Sequence, residues 1–398
     1  MRARWVNIVF MVTSSFALSG CWDSTEIDRL AIATTTGVDV GDAGSATTKG
    51  SVQIAVPSEL GTTQGGAPSE STGSTQSFVV LHGVGKDPIA LIEQARKKVP
   101  RKLIMSHRSV IIVGEQYAKQ GVAPLLDEVV RNPQSRLRTT FVVAFHDTAE
   151  DVLSLPYPLE RLPSQAVEGF AKQISGEQFT AKEFIERLLS RSDPYSVGIE
   201  ATNIGGPIKK TTFLVRHVAI FQKDKLVGWL RSGDEVNGFL WLRGTMEPKL
   251  LDISIPGYTG TVGVDVLKPR TIAKAKIIRG QPQIFVKVQM HNDIVSNGTT
   301  LNLQDPRNIH LVESAIRNQV TATTTHTLHL LQEKYDSDPV GFAEMIYRQS
   351  PKTWAQIEPN WREELRRLPV HVDVQVHVPR TGLSTESLVQ QERESSHD

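Results

Sequence analysis

"SVIIVGEQYAKQGVAPLLDEVVRNPQSRLRTTFVVAF", residues 109–145, decides the fold. Its two ends, SVIIVG at 109–114 and TTFVVAF at 139–145, are short runs rich in β-branched residues, the composition of buried strands. Between them, APLLDEVVRN at 123–132 spaces its apolar residues as a helix does. A strand–helix–strand unit of this kind belongs to a mixed sheet covered by helices.

Upstream, the same alternation continues. Residues 28–40 run into GVDVGD at 37–42 and read as a strand and turn, GSVQIAVP at 50–57 as a strand stopped by Pro57, and SFVVLHG at 77–83 as a third. The stretch 61–76, GTTQGGAPSESTGSTQ, is almost entirely small and polar and reads as a flexible surface loop. DPIALIEQARKKV opens a helix with Asp87 as N-cap and Pro88 at its first position, and Ile89, Ile92, Ala95 and Val99 form its apolar face. Downstream, helices are expected at about 147–155 and 164–174, and TAKEFIERLL at 180–189 begins with a capping box, Thr180 and Glu183.

Residues 191–210, RSDPYSVGIEATNIGGPIKK, are rich in turn formers and read as a boundary. Two strands around Lys223-Asp224 and a short helix over 234–242 follow, then four strand-like segments between 250 and 295. Ile309, Val312, Ile316 and Val320 mark a long helix whose stripe Leu328 and Leu331 continue. Further helices are expected over 339–349 and over WAQIEPNWREELRRL, with a break near Pro359. PVHVDVQVHVP, 369–379, sets its valines on one face and His371, Asp373, Gln375 and His377 on the other, as in a half-buried strand. The expected class is α+β (mixed α/β), and the family resemblance given below implies three parts: an N-terminal mixed domain over 21–200, a small β-rich middle over 206–250 and an α+β domain over 251–385. The tail 386–398 reads as disordered.

With 398 residues, 39% hydrophobic and 22% charged, the chain has the composition of a globular body of two or three domains. Formal net charge is +1, and removing Arg2 and Arg4 with the first 20 residues makes it −1, so charge gives no reason to expect nucleic acid. The N-terminus is more informative. MRARWVNIVFMVTSSFALSGC has two arginines, an uncharged run from Trp5 to Leu18, then Ser19, Gly20 and Cys21. That is the layout of a secretory signal, with an apolar run shorter than the ~20 residues a membrane-spanning helix needs. Leu18-Ser19-Gly20-Cys21 resembles a bacterial lipobox, in which the thiol takes a diacylglyceryl group, the signal of residues 1–20 is removed and the new terminal amine is acylated. Cys21 is the only cysteine, so no internal disulfide is available. A plain secretory cut beside a free thiol, or an uncleaved anchor, are the other readings.

Chemical motifs are sparse. No phosphate-binding loop, zinc-protease, nucleophile-elbow or paired-cysteine motif occurs, and no catalytic residue, metal or cofactor is assigned. His326 and His329 share a helical face without a nearby carboxylate or cysteine pattern and read as a solvated pair. His371 and His377 lie six residues apart, too far to chelate together, and His107 reads as a hydrogen-bonded structural histidine. RKKVPRK at 96–102 reads as a helix C-terminus whose cations suit the dipole, with contact to anionic lipid as the alternative. Trp354 and Trp361 read as partly buried core, with an aromatic binding surface as the alternative.

Four blocks taken together resemble the C-subunit family of bacterial spore germinant receptors, the Ger(x)C lipoproteins. They are LSGCWDSTEIDRLAIATTTGVDV, PRKLIMSHRSVIIVGEQYAKQGVAPLLDEVVRNPQSRLRTTFVVA, HVAIFQKDKLVGWL and DPVGFAEMIYRQSPKTWAQIEPNW with the valine-rich strand after it. They stand in family order between 18 and 382, and the stretch 61–76 departs as a local insertion. The resemblance implies a noncatalytic, lipid-anchored subunit on the outer face of the inner spore membrane. It implies integral-membrane A and B subunits as partners in nutrient-triggered germination. Trp22, Asp23 and Glu26, next to the lipidated Cys21, are the expected partner contacts. Two other classes are weighed. A solute-binding lipoprotein would need two similar lobes around a cleft, and a lipid-anchored cell-wall hydrolase would need a catalytic set that the sequence does not show.

Overall fold

Four strands form the centre of the larger sheet in this computed structural model, which describes residues 29–42, 47–56, 77–176, 179–203, 211–231 and 233–380. β1 (Leu30–Val40), β5 (Val110–Val113), β6 (Thr140–Ala144) and β7 (Tyr195–Asn203) run parallel, with Thr36 beside Ile111, Ile111 beside Phe141, and Val142 beside Val197. Every residue of β5 is buried, as its unbroken aliphatic run requires. Two antiparallel strands, β2 (Thr48–Ala55) and β3 (Phe78–Gly85), extend one flank, and β8 (Thr211–Gln222) and β9 (Lys225–Leu230) the other. The short β4 (Lys102–Ile104) pairs with the first residues of β1 and brings the sheet to nine strands.

Helices occupy the crossovers, as parallel pairing demands. α1 (Pro88–Lys97) precedes β4, and its N-cap Asp87 accepts a hydrogen bond from the Ala90 amide at 2.8 Å. α2 (Glu115–Gln120) and α3 (Ala123–Arg131) connect β5 to β6, while α4 (Ala149–Leu153), α5 (Pro163–Ser175) and α6 (Ala181–Leu189) connect β6 to β7. The capping box closes as the sequence predicts. Thr180 Oγ1 accepts from the Glu183 amide, and the Glu183 carboxylate accepts from the Thr180 amide.

The turn-rich stretch 191–210 also carries regular structure. It carries β7, whose Tyr195, Val197 and Ile199 are buried. Serine, glycine and asparagine in and after the strand mask an alternation that only the neighbouring strands make decisive. The hairpin that follows also belongs to the larger sheet. β8 pairs with β7 from Tyr195↔Ile220 to Asn203↔Thr211, and Phe213, Val218 and Ile220 are fully enclosed. Among the described residues of 206–250, the strands up to Leu230 therefore extend the larger sheet, and the following helix α7 (Asp234–Arg243) continues into the second half.

The second sheet has five strands: β10 (Lys249–Ser254), β11 (Thr261–Val266), β12 (Arg270–Ile278), β13 (Gln281–Asn297) and β14 (Val370–Arg380). Arg279 at φ 51° and Gly280 at φ 81° make the two-residue turn between β12 and β13, the backbone such hairpins need. β13 is 17 residues long; its first part pairs with β12, its last part with β11, and its other edge with β14 in parallel. α8 (Pro306–His329) lies on this sheet and on α7, burying Val312, Ile316 and Val320, and runs into a π-helical turn at Leu330–Lys334. α9 (Phe342–Gln349), α10 (Pro351–Ile357), a 3-10 turn at Glu358–Asn360 and α11 (Trp361–Arg367) lead to β14. Val374 and Val378 of β14 are buried and His371, Asp373, Gln375 and His377 exposed, as the alternation predicts. One continuous core runs from Val110 in the first sheet through Trp241 to Val378 in the second. Each enclosed aliphatic side chain contributes roughly 2 kcal/mol to it. The chain thus adopts the expected α+β class, mixed sheets covered by helices.

Candidate functional site

At the carboxyl end of the parallel strands, charged side chains gather where the first sheet meets the segment after α8. Asp39, near the end of β1, accepts from the Ala149 amide at 2.8 Å and the Glu150 amide at 3.0 Å and so caps α4. Burial raises its pKa, and the two amides pull the other way. Glu115 opens α2 directly after β5 and is buried. It accepts from the His146 amide at 2.6 Å, pairs with Lys119 Nζ at 2.6 Å and lies 2.9 Å from His146 Nδ1. Burial pushes its carboxyl up, but the Lys119 and His146 bonds outweigh that and hold it below the ordinary value. His146 has φ 56°, a conformation uncommon for a residue with a side chain. Phe145 before it stacks on His217 with ring centroids 3.9 Å apart and meets Trp229 edge-on at 5.0 Å. Burial also lowers the pKa of His217, against the pull of Glu200 3.0 Å away.

Glu115 and His146 line a groove of about 420 Å³, together with Lys119, Trp229, Arg231 and Tyr335 among others. Tyr335 lies over Gly228, where an added Cβ would stand 2.0 Å from its ring, and its hydroxyl donates to the Trp229 carbonyl at 2.6 Å. The carboxylates here are already engaged by cations or amides, so the arrangement holds its own elements together and presents Arg231 and Lys334 outward.

A second cluster joins the two halves of the chain. Asp193, just before β7, accepts from both guanidinium nitrogens of Arg362 on α11, at 2.5 and 2.8 Å, and from the amides of Lys223 and Asp338. Asp338 in turn accepts from the Gly341, Phe342 and Ala343 amides at 2.8, 2.9 and 2.8 Å, capping α9. Its carboxyl is enclosed, and burial pushes its pKa up to about 7. Arg366 pairs with Asp336 at 2.9 Å beside it. No local pattern discloses this cluster, because Asp193 and Arg362 stand 169 residues apart; the only signal is Asp338-Pro339 ahead of a glycine.

Cys21, Trp22, Asp23 and Glu26 lie outside the described residues, as do the stretches 1–20, 61–76 and 386–398. His107 proves exposed, contrary to its reading as a hydrogen-bonded structural residue. The adjacent Arg108 turns inward instead, donating to Thr36 Oγ1 at 3.3 Å and Ser135 Oγ at 3.0 Å. His326 is exposed, and His329 pairs with Glu333 at 3.0 Å. His371 is bound to Gln283 and His377 stands 3.8 Å from Glu313, so the two have separate partners. Trp354 and Trp361 are buried, with ring centroids 5.1 Å apart, and line a shallow groove with Arg191 and Arg362. Among the described residues, no group of three His, Cys, Asp or Glu is placed to hold a metal ion, and no helix is long and apolar enough to cross a membrane.

Two family models cover most of the chain. "Spore germination protein N-terminal domain" matches residues 23–201 and "Spore germination B3/GerAC like, C-terminal" matches residues 216–382. The chain belongs to the Ger(x)C family. Among its relatives in Bacillus subtilis (strain 168), Spore germination protein KC is 26% identical over 96% of this chain and 97% of its own length. Spore germination protein B3 is 22% identical over 92% of this chain and 95% of its own. The solved GerBC structure superposes with a TM-score of 0.57 at 19% identity, covering 86% of this chain and 97% of that one, so the Ger(x)C fold is shared. The two matched regions meet at the β7–β8 connection, where one sheet nevertheless continues from β7 into β8.

Proposed function

We propose that this chain is the lipid-anchored, noncatalytic C subunit of a spore germinant receptor. It acts with integral-membrane A and B subunits on the outer face of the inner spore membrane, in nutrient-triggered germination. The observation that supports this reading most is family membership over nearly the whole chain, joined to a lipobox-like Leu18-Ser19-Gly20-Cys21 at its start. Two acyl chains on Cys21 suffice for stable anchoring, since one alone binds marginally. The continuous core across both sheets does not resemble two lobes around a ligand cleft, which weighs against a solute-binding lipoprotein.

The test has two arms. Cys21→Ala should release the folded body from the membrane or leave an uncleaved precursor, and should abolish labelling by a fatty-acid analogue. Unchanged labelling and retention would exclude the anchor. Asp23→Asn with Glu26→Gln should weaken co-purification with the membrane subunits and slow germination while lipidation and abundance stay normal. Wild-type germination and co-purification would reduce this segment to a tether.

A further inference from the structure

The described fold begins at the amino end of the parallel strands, and that end is basic. Leu30 opens β1 in parallel register with Lys102, which brings Arg101 and Lys102, the end of the basic run, beside the point where the chain arrives from Cys21. β6 starts at the same end: the Thr140 amide donates to the Ser109 carbonyl at 2.8 Å, and Arg136, Leu137 and Arg138 just before it are exposed. Leu137 keeps 41% of its surface in solvent between the two arginines. Arg101, Lys102, Arg136 and Arg138 make no ion pair among the described residues. Of the acids on the neighbouring helices, Asp127 pairs with Arg131, Glu128 accepts from Asn132, Glu186 pairs with Lys182 and Glu183 accepts from the Thr180 amide, while Glu168 lines a pocket together with Arg138.

We propose that this rim, Arg101, Lys102, Arg136 and Arg138 around Leu137, rests on the anionic headgroups of the bilayer that holds the chain. The inference builds on the reading of Cys21 as the lipidated residue. Eight residue-to-residue steps lead from Cys21 to Arg29 and cannot reach beyond about 28 Å. β1 has 11 residues and is about 36 Å long, so an inverted body, with the carboxyl-end groove on the membrane, lies outside the tether's reach. The tether therefore holds the basic end near the headgroups, where each cation raises partitioning about fivefold. Leu137 supplies the apolar contact that a headgroup–acyl boundary accepts. The carboxyl-end groove of Glu115, His146 and Arg231 then faces away from the bilayer.

Cys21 is the only cysteine, so in the lipidated full chain one introduced thiol carries a single fluorophore. The probes are Gln134→Cys, on the rim, and Lys86→Cys, past the far end of β3. Each is bound to phosphatidylcholine vesicles with or without phosphatidylglycerol, with a quencher on the headgroups. The label at 134 should be quenched on phosphatidylglycerol vesicles only, and high salt or Arg101→Gln, Lys102→Gln, Arg136→Gln and Arg138→Gln together should restore its emission. The label at 86 should stay bright throughout. Unquenched emission at 134 on anionic vesicles, equal quenching on neutral ones, or unchanged quenching in the fourfold variant would overturn the seating. Failure of the chain to float with neutral vesicles would instead overturn the anchor itself.

Discussion

Asp338 carries its carboxyl where no water reaches it, between three amides of α9 and the Asp193–Arg362 pair. With its pKa pushed up to about 7, the folded chain holds a proton there that an unfolded aspartate releases near pH 4. The folded state thus binds more protons between these values, so this group lowers stability as pH rises across that window, by at most about 1.4 kcal/mol per pH unit, and adds no further loss above it. Asp338→Asn should flatten this slope, measured by urea unfolding at pH 5, 6.5 and 8. It should also lower stability at pH 5 by about 2 kcal/mol, because the amide nitrogen cannot accept from the Ala343 N–H. Equal slopes in the two proteins would remove Asp338 as their source. Gly228 illustrates a different constraint on a single residue, since any side chain there displaces Tyr335 from the Trp229 carbonyl.

α11 is tied to the start of β7 chiefly through one side chain, the bidentate Arg362. Arg362→Met leaves Asp193 buried beside Asp338 without its cation and should cost about 2–4 kcal/mol, less than a fully buried pair because Arg362 is partly exposed. Arg362→Lys should recover less than half of this loss, since an ammonium cannot span both carboxylate oxygens. Chemical denaturation of both variants reads the difference, and full recovery in the lysine variant would show that charge alone suffices. Such an element also marks what the sequence withholds. β5, β6, α8 and β14 were legible because their periodicity is local, and α1 and α6 because their caps sit within four residues. β4 is three residues long and α2 six, too short to show a period. β7 is hidden because its flanking glycines and prolines outweigh its alternation. Asp193, Asp338 and Arg362 meet only after two sheets and several helices are in place, and the Glu115–His146 pair only after β5 and β6 lie side by side. Arg108 and His107 differ in burial through the direction of one turn, which spacing cannot specify.

The molecule as a whole is two sheets sharing one core. Ala55 of β2 faces Phe78 of β3, and the Val56 amide donates to the Ser77 carbonyl at 2.9 Å, so residues 57–76 join two strand ends that already touch. Deleting 61–76 leaves 57–60, enough for a four-residue hairpin loop. The melting temperature should stay nearly unchanged, since loop closure varies by only about 0.6 kcal/mol per doubling of length. A cooperative loss of structure in thermal unfolding would show that the stretch is packed. The second sheet is less forgiving, because β14 is the last strand among the described residues and it pairs in parallel with β13 across the intervening residues 298–369. A chain still emerging from a ribosome or an export channel therefore offers β13 with one edge bare until residue 380 is out. That bare edge is a template for pairing with a neighbouring copy. Whatever keeps nascent copies apart must act until the final strand arrives, and a body missing β14 is expected to aggregate rather than persist as a smaller soluble protein.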